Sequence, residues 1–258
     1  LLVLVALLGT ALGVSGQEKI VGGTSAGVGE FPHQISLRYK NFHVCGGSIL
    51  SASYILTAAH CVEGRDYPPD FKVVTGTNQL NSGGQSHAVQ SIVFHEGFLQ
   101  SNLNHDVSII KLQSPMTFNQ YQKPIRLPTH DTPSGVLLTV SGWGLTSYPS
   151  DTQPNNLQKM SAYSWDNADC QRWIYNGPGG RAIDTIYPGM ICAFNKLTIG
   201  VCKGDSGGPL IAYENQEPVQ VGVVSWIWRY CARGVPDVYA RVYYYLDWIH
   251  KHTNYELQ

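Results

Sequence analysis

The chain has 258 residues, a hydrophobic content of 43%, a charged content of 14% and a formal net charge of −1. That balance reads as globular, not disordered, and leaves no field to draw the chain onto nucleic acid or an anionic membrane surface. Residues Leu1 to Leu8 are almost wholly apolar, the apolar character continues weakly to Val14, and Ser15-Gly16 follows. The stretch is too short to span a bilayer and reads as a signal peptide over 1–16 that lacks its Met and basic start. No later segment is apolar enough to cross a membrane, so a soluble, secreted product is expected.

Beyond it, short β-branched and aromatic runs recur between Gly, Pro, Asn and Ser: Gln34–Tyr39, Ser48–Thr57, Lys72–Thr75, Val107–Leu112, Leu137–Val140, Pro209–Tyr213 and Val219–Trp226. Turn signals at such intervals predict an all-β sandwich or barrel. Pro124 and Pro128 break the pattern around Tyr121–Leu127. From Tyr243 to His252 there is no Gly or Pro, and Tyr245, Trp248, Ile249 and His252 recur at helical spacing. This predicts a C-terminal helix, expected to dock on the second half of the fold. Six Cys suit an exported protein with disulfides, although sequence alone allows fifteen pairings. No close C-x2-C pair points to zinc. The stretch between Cys170 and Cys192, with Asn176-Gly177-Pro178-Gly179-Gly180-Arg181 at its middle, reads as an enlarged exposed loop, either one that shapes substrate access or neutral decoration.

Chemistry concentrates in four places. Lys203-Gly204-Asp205-Ser206-Gly207-Gly208-Pro209 holds a Ser on a Gly-rich turn, where a hydroxyl and bare N–H groups can be presented together. The same composition is also ordinary turn chemistry, so it needs partners. Thr57-Ala58-Ala59-His60-Cys61 offers a base. His105-Asp106-Val107-Ser108-Ile109-Ile110-Lys111-Leu112 offers an Asp at the head of an apolar run. Lys19-Ile20-Val21-Gly22-Gly23 sets a basic residue before a small apolar start. Of the other His, His105 would point away from Asp106 on a strand. His33, His43, His87, His95, His130, His250 and His252 read as surface or structural.

With Cys45-Gly46-Gly47-Ser48, Gly142-Trp143-Gly144, Val224-Ser225-Trp226 and Pro236-Asp237-Val238-Tyr239, these segments make the chain resemble the trypsin/chymotrypsin family of serine endopeptidases from Ile20 to near its C-terminus. The resemblance implies two six-stranded antiparallel β-barrels, about 20–123 and 124–242, with a helix at about 243–252 and the site in the cleft between barrels. It implies the pairs Cys45–Cys61, Cys170–Cys192 and Cys202–Cys231. It makes Ser206 the nucleophile, His60 the base and Asp106 its orienter, with Ser225 behind Asp106 and the N–H groups of Gly204 and Ser206 as oxyanion hole. It implies a zymogen with activation peptide 17–19, cut after Lys19, whose freed Ile20 ammonium pairs with Asp205.

Specificity is where the chain departs from the family's commonest pattern. Gly200 stands at the pocket base where trypsin-like members carry Asp, while Asp237 stands on the pocket wall where Gly is usual. That pair resembles broad-specificity collagenolytic members. Asp237 has an alternative reading as a buried acid neutralised by an Arg. Ile227 after Trp226 resembles the narrowed mouth of elastases, and Lys203 and Arg229 add positive charge at the rim. The expectation is cleavage after Ala, Val or Leu, with weak activity after Arg or Lys. Gly76–Gly84, where the family's calcium loop would lie, has no carboxylate, so no metal is expected. No cofactor is implied. The expected partners are polypeptide substrates and protein protease inhibitors, with the enzyme a monomer. The alternatives are a regulatory cascade protease and a silent homologue acting as a binding protein.

Overall fold

The computed structural model describes residues 20–256 apart from Asp66, Asp151, 177–184, Arg229 and Tyr255. The signal and activation segments, Lys19 and Arg229 therefore lie outside the described residues, as does most of the 176–181 stretch. Six strands close the first barrel: β2 (Gln34–Tyr39), β3 (Phe42–Ile49), β4 (Tyr54–Thr57), β5 (Phe71–Thr75), β6 (Gln85–Phe94) and β7 (Ser108–Leu112), in the order β2-β3-β4-β7-β6-β5. Six more form the second: β8 (Leu137–Gly142), β9 (Gln158–Trp165), β10 (Met190–Phe194), β11 (Pro209–Glu214), β12 (Glu217–Trp226) and β13 (Asp237–Arg241). They run β9-β10-β13-β12-β11-β8, and pairing of β8 with β9 closes the ring. A leading strand, β1 (Thr24–Ser25), pairs with β9, so the first residues sit on the second barrel although they precede the first in sequence.

Local chemistry explains these elements. Along β9 the residues Gln158, Met160, Ala162 and Ser164 are buried and alternate with outward positions, as a half-buried strand requires. The β2–β3 hairpin turns on Lys40 and Asn41 and the β11–β12 hairpin on Asn215 and Gln216, all at positive φ, which is the twist a two-residue hairpin loop needs. Ile35, Leu37, Ile49, Leu56, Val73 and Ile110 fill the first barrel; Leu138, Val140, Ile191, Leu210, Val221 and Tyr239 fill the second. Bridges join Cys45–Cys61, Cys170–Cys192 and Cys202–Cys231.

Two features differ from the sequence expectation. A helix, α1 (Asn167–Asn176), occupies part of what reads as loop, started by Asp166, whose side chain accepts from the Ala168 and Asp169 N–H groups. The C-terminal helix α2 (Leu246–His252), preceded by a 3-10 turn at Val242–Tyr245, does not dock on the second barrel alone. Its apolar residues Trp248 and Ile249 join the first barrel's core cluster, and Asn254 donates to Tyr54 Oη at 2.9 Å. The stripe says that one face is buried; only the preceding chain direction says against what. Among the described residues no helix is long and apolar enough to cross a membrane.

The barrels are joined by polar contacts that leave few buried groups idle. Ser48 Oγ donates to Gln220 Oε1 (2.5 Å), Ser141 Oγ donates to Gln34 Oε1 (2.7 Å), and the Gly46 N–H donates to the Ser206 carbonyl (2.7 Å). These groups are buried, and each such bond avoids the cost of an unpaired polar atom.

Candidate active site

The first barrel supplies an imidazole and a carboxylate. His60 sits on a one-turn 3-10 segment (Ala59–Cys61) at the end of β4, braced by the Cys45–Cys61 bridge. Asp106 lies two residues before β7 and is 1% exposed. Its Oδ1 accepts the His60 backbone N–H (2.9 Å), and its Oδ2 lies 2.7 Å from His60 Nδ1. Ser225 Oγ donates to the same Oδ2 at 2.6 Å. Ser225 can do so because the β12–β13 register slips between Val224 and Trp226, a bulge that re-aims one side chain. One carboxylate thus fixes both the backbone and the ring of His60 and leaves Nε2 clear of it. Cys61 Sγ is 3.8 Å from that Nε2, but the sulfur is bonded to Cys45 and offers no thiolate to a metal.

The second barrel supplies the Ser206 turn. Gly204 has φ +101° and Gly207 φ +75°, values that side chains resist. A Cβ on Gly207 would run into Thr57 Oγ1 and the Gly46 carbonyl. The turn is therefore pressed against the strand ends that lead to His60. Asp205 is buried between the glycines of Gly142-Trp143-Gly144, where any Cβ would overlap its carboxylate. Its Oδ1 accepts the Gly144 N–H (2.7 Å) and its Oδ2 the Cys202 N–H (2.9 Å). Burial still raises its pKa to about 6, the two N–H bonds pulling the other way. The Ile20 side chain is 0% exposed and belongs to the second barrel's core.

Sequence reasoning overlooked His43. Its Nε2 lies 3.0 Å from the Gly204 carbonyl, which can only accept, so Nε2 carries the proton; Nδ1 then accepts from Ser36 Oγ at 2.9 Å. Burial lowers its pKa to about 4, which keeps this neutral arrangement at working pH. His43 thereby orients the peptide plane beside the Ser206 turn. Its proximity crosses 161 positions, which no local motif reveals. His105 also departs from expectation: it precedes β7, has φ +58°, and stacks its ring on His95.

Gly200 and Asp237 are neighbours. A Cβ on Gly200 would lie 3.1 Å from Asp237 Oδ2, and the same oxygen accepts the Val201 N–H at 2.9 Å. Burial raises the Asp237 pKa to about 8; the Val201 bond opposes this and the Asp205 charge adds to it. This backbone amide, not a guanidinium, is the hydrogen-bond partner found for Asp237 among the described residues. Ile227 is half-buried and packs against the cluster formed by Leu145, Cys202 and Cys231. Trp226 is half-buried and packs toward Val238 and Cys192. Lys203 is exposed, and its carbonyl accepts the Leu145 N–H (2.9 Å).

The sequence profile described as Trypsin matches residues 20–249. Trypsin-1 of Astacus astacus is 39% identical to this chain over 247 residues, which is 89% of this chain and 98% of that protein. Together with the two closed six-stranded barrels, these matches place the chain in the trypsin family of serine endopeptidases.

Proposed function

We propose that the chain is the precursor of a secreted endopeptidase in which Ser206, His60 and Asp106 act as a catalytic triad. The observation that carries this reading is the Asp106 carboxylate, which holds the ring and backbone of His60 while Ser225 occupies its remaining direction. His60 Nε2 takes the proton from Ser206 Oγ as that oxygen attacks the scissile carbonyl. The C–O bond forms, the carbonyl oxygen becomes an oxyanion, and the N–H groups of Gly204 and Ser206 receive it. Each such donor is typically worth about 3–4 kcal/mol in the transition state. His60 then gives its proton to the leaving amine, the C–N bond breaks, and water repeats the sequence to release the acid. Asp106 accepts from Nδ1–H throughout and favours the imidazolium as it forms.

Activation follows from Asp205. Cleavage after Lys19 would free an ammonium on Ile20, whose side chain already lies in the second barrel's core. A buried carboxylate with two N–H donors and a pKa raised by burial gains most from a cation beside it. An α-amine titrates near 8 in the unfolded chain, and a carboxylate partner raises that value. The pair's contribution is therefore complete below about 8 and is lost as pH rises through the raised value. The peptidase unit begins at Ile20 on this reading, acts as a monomer outside the cell on polypeptides, and meets protein inhibitors at the same cleft.

Specificity follows from the pocket rather than from the relative's name. With Gly200 at the base and Ile227 at the mouth, small and medium aliphatic side chains fit, and large aromatic ones clash at a cost not easily relieved. Asp237 adds weaker activity after Arg or Lys. The test is trypsin treatment followed by kcat/KM over peptides varied only at the residue before the scissile bond. Hydrolysis should appear on cutting, be absent in uncut Lys19→Gln, and favour Ala and Leu. Full activity of uncut Lys19→Gln refutes the activation step; a tenfold preference for Arg or Phe, about 1.4 kcal/mol, refutes the pocket assignment.

A further inference from the structure

Beside the Asp106 turn lies a layer of rings that the triad does not use. His95 and His105 stack face to face, centroids 4.5 Å apart and planes within 8°. Trp248 tilts over His95 at 5.4 Å and over His252 at 4.3 Å. Tyr245 meets both stacked rings edge-on, its hydroxyl 3.3 Å from His105 Nδ1. His95 has a second hold on the same segment: its backbone N–H donates to the Val107 carbonyl at 3.0 Å. His95 therefore grips both neighbours of Asp106, His105 through the ring and Val107 through the main chain. His105, at φ +58°, accepts the Val107 N–H on its own carbonyl (2.9 Å), so the backbone turns tightly around Asp106.

We propose that His95 and His105 are positioning residues for Asp106: the neutral stack holds the turn that presents its carboxylate, and protonation of the stack releases it. Activity then falls in acid with one proton more than it would without the stack.

The hydrogen bonds set the direction. His95 Nδ1 accepts the Gly97 N–H at 3.0 Å, so its neutral form carries the proton on Nε2. A second proton would set N–H against N–H, break that bond and place a cation face to face with His105. The charged and titratable groups around the stack are Glu96, His252, Tyr244, Tyr245 and Asp106. Glu96, whose carboxylate accepts Trp248 Nε1–H at 2.9 Å, favours a proton on His95; His252 opposes it. Burial dominates, and the pKa of each ring lies below 6.5, His105 adding to the shift on His95. The neutral stack is thus complete above 6.5 and is lost as pH falls through the lowered values. Because the rings interact, the proton belongs to the pair.

This inference rests on the triad reading above. The experiment is the pH dependence of kcat/KM on a Leu peptide, per titrated active site, after confirming that activity returns at pH 8. The unaltered enzyme should fall with a limiting slope of about 2, or about a hundredfold per pH unit. His95→Asn keeps an acceptor for the Gly97 N–H without titrating, and His95→Phe keeps the stacking face. Each, compared with itself at pH 8, should fall with a slope of about 1. A slope of about 1 in the unaltered enzyme, or of about 2 in both variants, overturns the proposal. An NMR titration of the unaltered protein decides the matter if neither variant folds or if Ser206 proves unreactive. The His95 and His105 ring signals should move below pH 6.5 together with the Val107 amide. A Val107 amide that ignores them overturns the proposal, whereas an unreactive Ser206 at pH 8 fails the triad reading alone.

Discussion

Asp106 and Asp237 are both buried carboxylates, and the protein treats them oppositely. Asp106 is met by His60 N–H, His60 Nδ1 and Ser225 Oγ, so both of its oxygens are occupied by groups from two barrels. Among the described residues Asp237 has the Val201 N–H, and Gly200 stands so close that a Cβ there would lie 3.1 Å from its Oδ2. A carboxylate surrounded by donors is a fixed part; one with a single donor among the described residues, its pKa raised to about 8 by burial, keeps capacity for a ligand. On the triad and pocket roles proposed above, the difference separates what the fold would hold in every turnover from what it could lend to a substrate.

Changes at Asp106 should therefore be far more costly than changes at Asp237. Asp106→Asn keeps the shape but favours the wrong His60 tautomer, and kcat should fall about 10⁴-fold, the magnitude known for this change in the family. A loss under tenfold would equate the two carboxylates. Ser225→Ala removes one charge-assisted donor, a contribution of about 1.5–3 kcal/mol, so kcat/KM should drop roughly 10–100-fold for aliphatic and basic peptides alike. A loss confined to one substrate class would move Ser225 from the triad to the pocket.

The pocket carboxylate should announce itself through pH. Its proton is largely in place at pH 7 and gone at pH 9, because its pKa is raised from 3.8 to about 8. An Arg side chain stays cationic throughout and prefers the ionised form. The ratio of kcat/KM for Arg over Leu peptides should thus rise about tenfold from pH 7 to 9, and Asp237→Asn should flatten it. A flat ratio in the unaltered enzyme would leave Asp237 a structural acid. The smallest effect belongs to Ile227→Gly, which should raise activity on Phe and Tyr peptides severalfold with little change for Ala; no gain would place the mouth elsewhere.

The parts legible in sequence are those written in local chemistry. Lys203–Pro209 reads as a presenting turn because its glycines take backbone angles that the structure does contain at Gly204 and Gly207. The strand runs from Gln34, Leu137 and Pro209 start where they were expected. Strand β6 (Gln85–Phe94) escaped notice because few of its residues are buried, so its alternation is faint. Helix α1 has only Cys170 and Ile174 buried, too short a stripe to announce a helix. The seat of α2 was misread because Trp248 finds Glu96 and His95 across some 150 positions. His43 and the His95–His105 stack were invisible for the same reason: each ring takes its role from a partner distant in sequence.

The claim on which the rest depends is that Ser206 is activated by His60. After cleavage following Lys19, the protein should be incubated with a fluorophosphonate at pH 8 and mapped by mass spectrometry. The account predicts one adduct per chain, on Ser206, formed in step with loss of peptide hydrolysis and abolished in His60→Ala. An active protein without that adduct, or with it on another residue, would contradict it.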